Sequence, residues 1–181
     1  HPFAINISKN LMSACNDISL PIFRFERVSK YRSNVEIISN FEDINHELIK
    51  NKNILLAIGS RSLNEVARFY SDLGANIFAR ILATPDSIAK GFSSCINHSR
   101  LAIINPSNSK RDNLEYYLCK HWMIDYILCR DSGGYSQIIW DEICLKSNIK
   151  LYLLKRPEIQ TKAIIFSQYD DLIKKITHFK K

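Results

Sequence analysis

The chain has 181 residues, so it is long enough to bury a core. Of these residues, 46% are hydrophobic and 24% charged, a composition that excludes a disordered protein. The net charge of +7 favours anionic ligands. The lysines and arginines are dispersed, which speaks against nucleic acid as a partner, and no apolar run approaches the roughly 20 residues that would span a membrane.

The cysteines and histidines exclude two further classes of protein. The five cysteines are odd in number, widely spaced and without a C-x-x-C pair, which predicts reduced thiols in a cytoplasmic protein rather than a disulfide framework. The five histidines are scattered, and none has another histidine or cysteine at metal-ligand spacing. We therefore expect no metal site.

Hydrophobic periodicity predicts the elements of the first part of the chain. In order, we expect a helix over 4–16, a strand over 20–26, a loop over 28–35, a short strand over 35–38 and a helix over 43–50. Asp43 is the expected N-cap of that second helix.

Strands and helices then alternate, beginning with the continuous apolar run of residues 54–58, which is typical of a strand buried on both faces. The other predicted strands cover 76–82, 101–104, 124–129, 149–154 and 163–166. Helices are predicted over 62–73, 110–122, 135–146 and 168–178, and residues 85–98 as a short helix and a loop. This alternation predicts an α/β fold with mainly parallel sheets.

The two parts of the chain differ in how much structure they can form alone. Residues 51–181 contain enough strands and helices for a complete Rossmann-like lobe. Residues 1–50 do not, and we interpret them as the C-terminal half of a first Rossmann-like lobe whose first half is absent. The predicted boundary between the lobes lies near residue 50.

Three strand ends carry residues suited to an anionic ligand, because ligands of open α/β sheets bind beyond the carboxyl ends of the strands. The first is Gly59-Ser60-Arg61, where a glycine permits a tight turn and Arg61 adds a charge. No G-x-G-x-x-G pattern is present, so an ordinary turn between strand and helix is the alternative.

The second strand end is Arg130-Asp131-Ser132-Gly133-Gly134, which holds two of the five glycines. Adjacent glycines allow a phosphate to approach the backbone closely, and Ser132 can cap the helix or donate to a phosphate oxygen. The third is Lys155-Arg156-Pro157, where two cations follow a strand. A solvated strand end is the alternative there. We expect the three turns to gather along one rim.

The order of these motifs resembles the precorrin-6A reductase family of cobalamin biosynthesis. His1-Pro2-Phe3-Ala4 resembles that family's His-Pro-Phe-Ala segment, and Asp131-Ser132-Gly133-Gly134 resembles its Ser-Gly-Gly loop. Further resemblance covers Arg24, Glu26 and Arg27, the turn from Gly59 to Leu63, the strand Ala79-Arg80-Ile81-Leu82, and Arg156-Pro157. The resemblance runs in order from His1 to about Pro157.

The resemblance implies reduction of one double bond of a corrin precursor by NADPH or NADH, bound between two Rossmann-like lobes. It implies cofactor phosphates near Arg130, Ser132, Gly133 and Gly134, and substrate or other anionic groups near Gly59, Ser60, Arg61 and Arg156. His1 and Phe3 are candidates for the reaction cleft. Cys129 and Arg130 depart from the family's usual Thr and Lys, and Asn105-Pro106-Ser107-Asn108 departs from its Gly-Pro-Phe-Ser loop.

Two other functions are compatible with the sequence. A non-catalytic α/β module that binds nucleotides or anions would bind the cofactor without turnover. A basic nucleic-acid-binding protein would show a steep dependence of affinity on salt. The sequence leaves open whether the substrate contains cobalt, which nicotinamide cofactor is used, and the oligomeric state.

Overall fold

The computed structural model describes residues 2–29, 35–105, 114–158 and 163–179. The strands are β1 (Phe23–Phe25), β2 (Val35–Ile38), β3 (Asn53–Ala57), β4 (Asn76–Ile81), β5 (Leu101–Ile103), β6 (Tyr126–Arg130), β7 (Lys150–Leu154) and β8 (Ile164–Phe166). The helices are α1 (Ile5–Asp17), α2 (Leu63–Asp72), α3 (Pro85–Phe92), α4 (Leu114–His121), α5 (Tyr135–Ser147) and α6 (Tyr169–Phe179).

The larger sheet has six strands in the order β2-β7-β6-β3-β4-β5, and all of its pairings are parallel. Its central strand, β3, has the burial that the apolar run predicts: Ile54 and Leu56 are buried on one face, and Leu55 on the other. Both faces are covered, as parallel sheets require. The predicted α/β fold with mainly parallel sheets is confirmed.

Each face of this sheet has its own hydrophobic core. On one face, α2 contributes Leu63, Val66, Ala67 and Tyr70, whose spacing places them on one side of a helix. On the other face, α4 and α5 contribute Cys119, Trp140, Ile143 and Cys144. Each large apolar side chain buried in this way contributes about 1.5–3 kcal/mol to folding.

The smaller sheet consists of β1 and β8, which pair in parallel with Phe23 opposite Ile164. The helix α6 packs against both strands. An edge-to-face contact joins the rings of Phe23 and Phe179, with centroids 5.1 Å apart. In this part of the protein the apolar residues Ile7, Leu11 and Ile165 are each more than half exposed.

The chain divides into two compact units, and the division differs from the predicted boundary near residue 50. The first unit contains His1–Lys30, Ser132–Gly134 and Arg156–Lys181, and the second contains Tyr31–Asp131 and Tyr135–Lys155. Strand pairing is the physical reason. β2 pairs with β7 and so belongs to the larger sheet, whereas β8 pairs with β1 and so brings the end of the chain into the first unit.

The helix predicted over 43–50 is wrong. Two short 3-10 turns, Phe41–Asp43 and His46–Leu48, occupy this segment. The Asp43 carboxylate accepts from the amide of Asn40 at 2.8 Å, so it closes the first turn instead of beginning a helix. Asn45 then caps the second turn by accepting from the amide of Glu47. These side-chain hydrogen bonds compete with a continuous helix.

Candidate functional site

The strand order of the larger sheet reverses at β3. From β3 the chain proceeds through β4 to β5 on one side, whereas β6, β7 and β2 lie on the other side. Such a reversal leaves a crevice at the carboxyl ends of the two central strands, which is where open α/β sheets bind ligands. Here the two strands are β3, which is followed by the Gly59 turn, and β6, which ends at Arg130.

Gly59 and Arg130 meet at this reversal. Gly59 has a φ of +80°, a left-handed conformation that favours glycine. A Cβ atom on Gly59 would lie 3.6 Å from Nη1 of Arg130, so the guanidinium group lies directly over the turn. Nη2 of Arg130 donates to Oγ of Ser62 at 3.3 Å. Two strand ends that the sequence analysis treated separately therefore form one cationic cluster.

The charges of this cluster favour an anion. Burial lowers the pKa of Arg130, and the positive charge of the nearby Arg61 lowers it further. Since like charges repel most strongly where water is partly excluded, a bound anion would relieve this repulsion. The side chain of Ser60 adds a hydroxyl, whose oxygen lies 3.3 Å from that of Ser87 on α3. Guanidinium and hydroxyl donors together suit a phosphate.

A second cationic cluster lies within the first unit, at the double-glycine turn. Gly133 has a φ of +59°, and a Cβ atom there would lie 2.7 Å from Nη2 of Arg156 and 3.0 Å from Cβ of Arg27. A Cβ atom on Gly134 would lie 2.7 Å from Nη1 of Arg27. The room that the missing side chains leave is therefore filled by two guanidinium groups.

Hydrogen bonds fix this arrangement. Nη1 of Arg156 donates to the carbonyl oxygen of Arg27 at 2.6 Å. The amide of Gly134 donates to Oγ of Ser132 at 3.2 Å, which closes the turn on itself. An anion at this turn would thus meet the arginine side chains, in addition to any backbone amide.

The predicted site residues fall into these two clusters, but Arg130 is separated from the double-glycine turn with which the sequence analysis grouped it. Gly59, Ser60 and Arg61 lie in the second unit together with Arg130. Ser132, Gly133 and Gly134 lie in the first unit together with Arg156. Phe3 lies in the first unit, just before α1, and His1 lies outside the described residues.

Sequence reasoning missed Arg27 as a site residue. It follows β1 by two positions, and neither a glycine nor a helix start marks it. Arg27 also lines a cavity of about 350 Å³ in the first unit, together with Arg24 and Glu26. The signal in the sequence was the group of charged residues Arg24, Glu26 and Arg27 at the end of a strand. The family resemblance covers these residues, but no local sequence rule marks Arg27 as a ligand-binding residue.

Arg80 and Glu115 form a buried charge pair in the second unit. Nη2 of Arg80 on β4 lies 3.9 Å from Oε1 of Glu115 on α4, and both side chains are buried. Burial lowers the pKa of Arg80, while the charge of Glu115 acts in the opposite direction. The pair joins α4 to the sheet.

The fold and its sites define a doubly wound α/β protein with cationic, glycine-bearing turns that can receive anionic groups. Among the helices that the structure describes, none has both the length and the apolar character that crossing a membrane requires. The chain belongs to the family described as precorrin-6x reductase CbiJ/CobK, whose model matches residues 1–177. Members of this family are oxidoreductases, and the predicted family is confirmed.

Similar proteins agree with this assignment. The cobalt-precorrin-6A reductase of Methanocaldococcus jannaschii is 26% identical over 99% of this chain and 70% of its own length. The cobalt-precorrin-6A reductase of Synechocystis sp. is 24% identical over 87% of this chain and 61% of its own length. The chain thus spans between about three fifths and seven tenths of these relatives.

A solved structure described as CobK precorrin-6A reductase has the same fold. Its TM-score is 0.76, and the match covers 98% of this chain and 70% of the other. The sequence identity is 15%, so this match supports the Rossmann-like fold alone.

Proposed function

We propose that this chain reduces one double bond of precorrin-6A or cobalt-precorrin-6A with a nicotinamide cofactor to give the 6B form in cobalamin biosynthesis. Family membership supports the reaction class, and the names of the relatives support the substrate. The reduction adds a hydride to one carbon of the double bond and a proton to the other. We place this reaction in the cytoplasm, because all five cysteines are free thiols, as is usual for proteins of that compartment.

The convergence of Gly59 and Arg130 at the reversal of strand order is the observation that carries the proposal. A nicotinamide cofactor supplies the hydride, and a protein mainly binds and orients it. Arg130 and Arg61 would bind a cofactor phosphate, with Ser60 and Ser62 as further donors. Because Gly59 has no side chain, a phosphate could approach the backbone of this turn beside the guanidinium group of Arg130.

The remaining predicted residues keep proposed roles. The turn from Ser132 to Gly134 would contact the cofactor, and Arg156 would bind a carboxylate of the ring. His1 and Phe3 remain candidates for the reaction cleft. NADPH and NADH both fit these requirements, and the choice between them is one readout of the experiment.

The experiment measures oxidation of NADPH and of NADH by the protein in the presence of precorrin-6A or its cobalt form. Arg130→Met removes the charge but keeps the length of the side chain. We expect its KM for the cofactor to rise about tenfold or more, because a charge-assisted hydrogen bond contributes about 1.5–3 kcal/mol. Arg68→Met, which removes an exposed charge on the same unit, is the matched control and should leave KM unchanged.

Three results would contradict the proposal or part of it. Folded protein that oxidises neither cofactor with either substrate is not this reductase, and cofactor binding without turnover would favour a non-catalytic nucleotide-binding module. An unchanged KM for the cofactor in Arg130→Met would show that the cofactor phosphate does not bind to Arg130 at the Gly59 turn.

A further inference from the structure

Arg27 and Arg156 converge on one side of the double-glycine turn. Nη2 of Arg156 lies against Gly133 and Nη1 of Arg27 lies against Gly134, each at 2.7 Å from the position of a Cβ atom. The hydrogen bond from Arg156 to the carbonyl oxygen of Arg27 holds the two residues together. A guanidinium group can donate two N–H bonds to the two oxygens of a carboxylate, so this part of the turn suits such a ligand.

Arg27 also lines the cavity of about 350 Å³ between α1 and β1. Leu11, Met12 and Phe23 give this cavity an apolar lining. Its volume lies at the lower end of the roughly 300–1,000 Å³ that small-molecule sites enclose. It is thus suited to one arm of a large ligand and is too small for a whole macrocycle.

The charges around the cavity are positive on balance. Glu26 is engaged by Arg24, whose Nε lies 2.6 Å from its carboxylate, and Arg24 also donates to the hydroxyl of Ser8. The Glu26 carboxylate therefore offsets the charge of Arg24. Arg27 also lines the cavity and adds a further positive charge, so an anionic group is the complementary ligand there.

We infer that Arg27 and Arg156 bind a carboxylate arm, an acetate or a propionate, of the tetrapyrrole substrate, and that the cavity beside Arg27 receives the methylene groups of that arm. This inference rests on the proposed function, and it adds Arg27 to the residues that bind the substrate. The combination of an apolar lining and paired guanidinium groups matches an aliphatic acid, which has both parts. A cofactor phosphate shares the anionic chemistry, and the experiment separates the two sources.

The first test compares Arg27→Gln with Lys9→Gln. Lys9 is exposed on α1 of the same unit, so the control removes an equal charge from the same part of the protein. Uroporphyrin, a tetrapyrrole with acetate and propionate arms, is the probe for the carboxylate, and NADPH is the probe for the phosphate. We expect Arg27→Gln to raise the Kd for uroporphyrin about tenfold, with the Kd for NADPH within about twofold of wild type.

The second test moves the guanidinium group without changing the charge. Gly134→Ala places a methyl group 2.7 Å from Nη1 of Arg27, the mobile end of a flexible side chain, and Gly134 does not have a left-handed conformation. The fold should therefore persist, as thermal unfolding would show, while uroporphyrin binds more weakly than it binds to the wild type.

Each other outcome overturns the inference. For Arg27→Gln, a loss confined to NADPH would show a phosphate site, an equal loss for both probes would show a general charge effect, and no loss for either would show that Arg27 does not contact the ligand. Wild-type protein that fails to bind uroporphyrin would also overturn it. Turnover of the precorrin substrate tests the proposed function separately, because it can persist whichever residue binds the arm.

Discussion

Tyr70 has no exposed surface, and its hydroxyl donates to the carbonyl oxygen of Phe41 inside the second unit. Burial raises the pKa of Tyr70, and the charges of Tyr152 and Asp43 raise it further. A group whose pKa is higher in the folded state contributes its full stability below its unfolded pKa, which is about 10 for tyrosine. That stability is then lost as the pH rises above 10.

Tyr70→Phe should therefore destabilise the protein by about 1–2 kcal/mol at neutral pH, because the carbonyl of Phe41 loses its donor. Above pH 10, Tyr70 ionises in the unfolded wild type but not in the folded one. This ionisation favours unfolding of the wild type, and it is absent from Tyr70→Phe. The difference between the two proteins should shrink by up to about 1.4 kcal/mol per pH unit. Urea denaturation at neutral and at alkaline pH measures this difference.

The matched control is Tyr117→Phe, which removes a hydroxyl from a side chain that is 65% exposed. Its free energy of unfolding should equal that of the wild type at neutral pH. A difference between Tyr70→Phe and wild type that is constant across the alkaline range would refute the assigned pKa direction.

At the residue scale, the sequence could predict Gly59, Arg61, Arg130 and the double glycine, because each follows an apolar strand and local chemistry marks it. It could not predict that Arg130 would meet the Gly59 turn, since that contact depends on β6 pairing with β3. Arg27 was missed for the same reason. Its neighbours at the double-glycine turn lie about a hundred residues away along the chain.

At the scale of elements, α4 is joined to β4 by the buried pair of Arg80 and Glu115. A buried charge that loses its partner is strongly destabilising, whereas replacing both charges by apolar groups is often neutral. Glu115→Gln should thus lower the free energy of unfolding by about 3 kcal/mol or more. The double variant Arg80→Met with Glu115→Leu should recover most of this loss.

Urea denaturation of the single and double variants measures both effects. Glu65→Gln, at an exposed position of α2, controls for loss of one carboxylate in the same unit. If Glu115→Gln were as stable as this control, the 3.9 Å approach of Arg80 to Glu115 would carry no appreciable interaction energy.

Most elements could be predicted because their apolar periodicity is strong. The predicted strand over 54–58 corresponds to β3, and the predicted helix over 62–73 corresponds to α2. The segment over 43–50 could not, since Asp43 and Asn45 hold two separate short turns through side-chain hydrogen bonds that periodicity does not register. The helix predicted over 110–122 begins in residues that lie outside those described, and α4 covers its positions from Leu114 to His121.

At the scale of the whole molecule, the sequence predicted two α/β parts but not which segments form them. The assignment of β2 and β8 to their sheets depends on long-range pairing with β7 and β1, respectively. The local sequence of neither β2 nor β8 indicates the strand with which it pairs. A boundary drawn from the order of elements therefore fell between β2 and β3, whereas pairing divides the chain elsewhere.

The two sheets should differ in local stability. The pair of β1 and β8 is short and two-stranded, an arrangement that is marginal by itself, whereas β3 lies at the centre of six strands with its side chains almost fully buried. Hydrogen exchange of the native protein should therefore be at least about 100-fold faster for amides of β1 and β8 than for those of β3, a gap of about 2.8 kcal/mol in opening free energy. The strand β2, an edge strand of the larger sheet, serves as the internal control and should exchange more slowly than β1. Equal protection of β1, β2 and β3 would mean that the two units unfold only together.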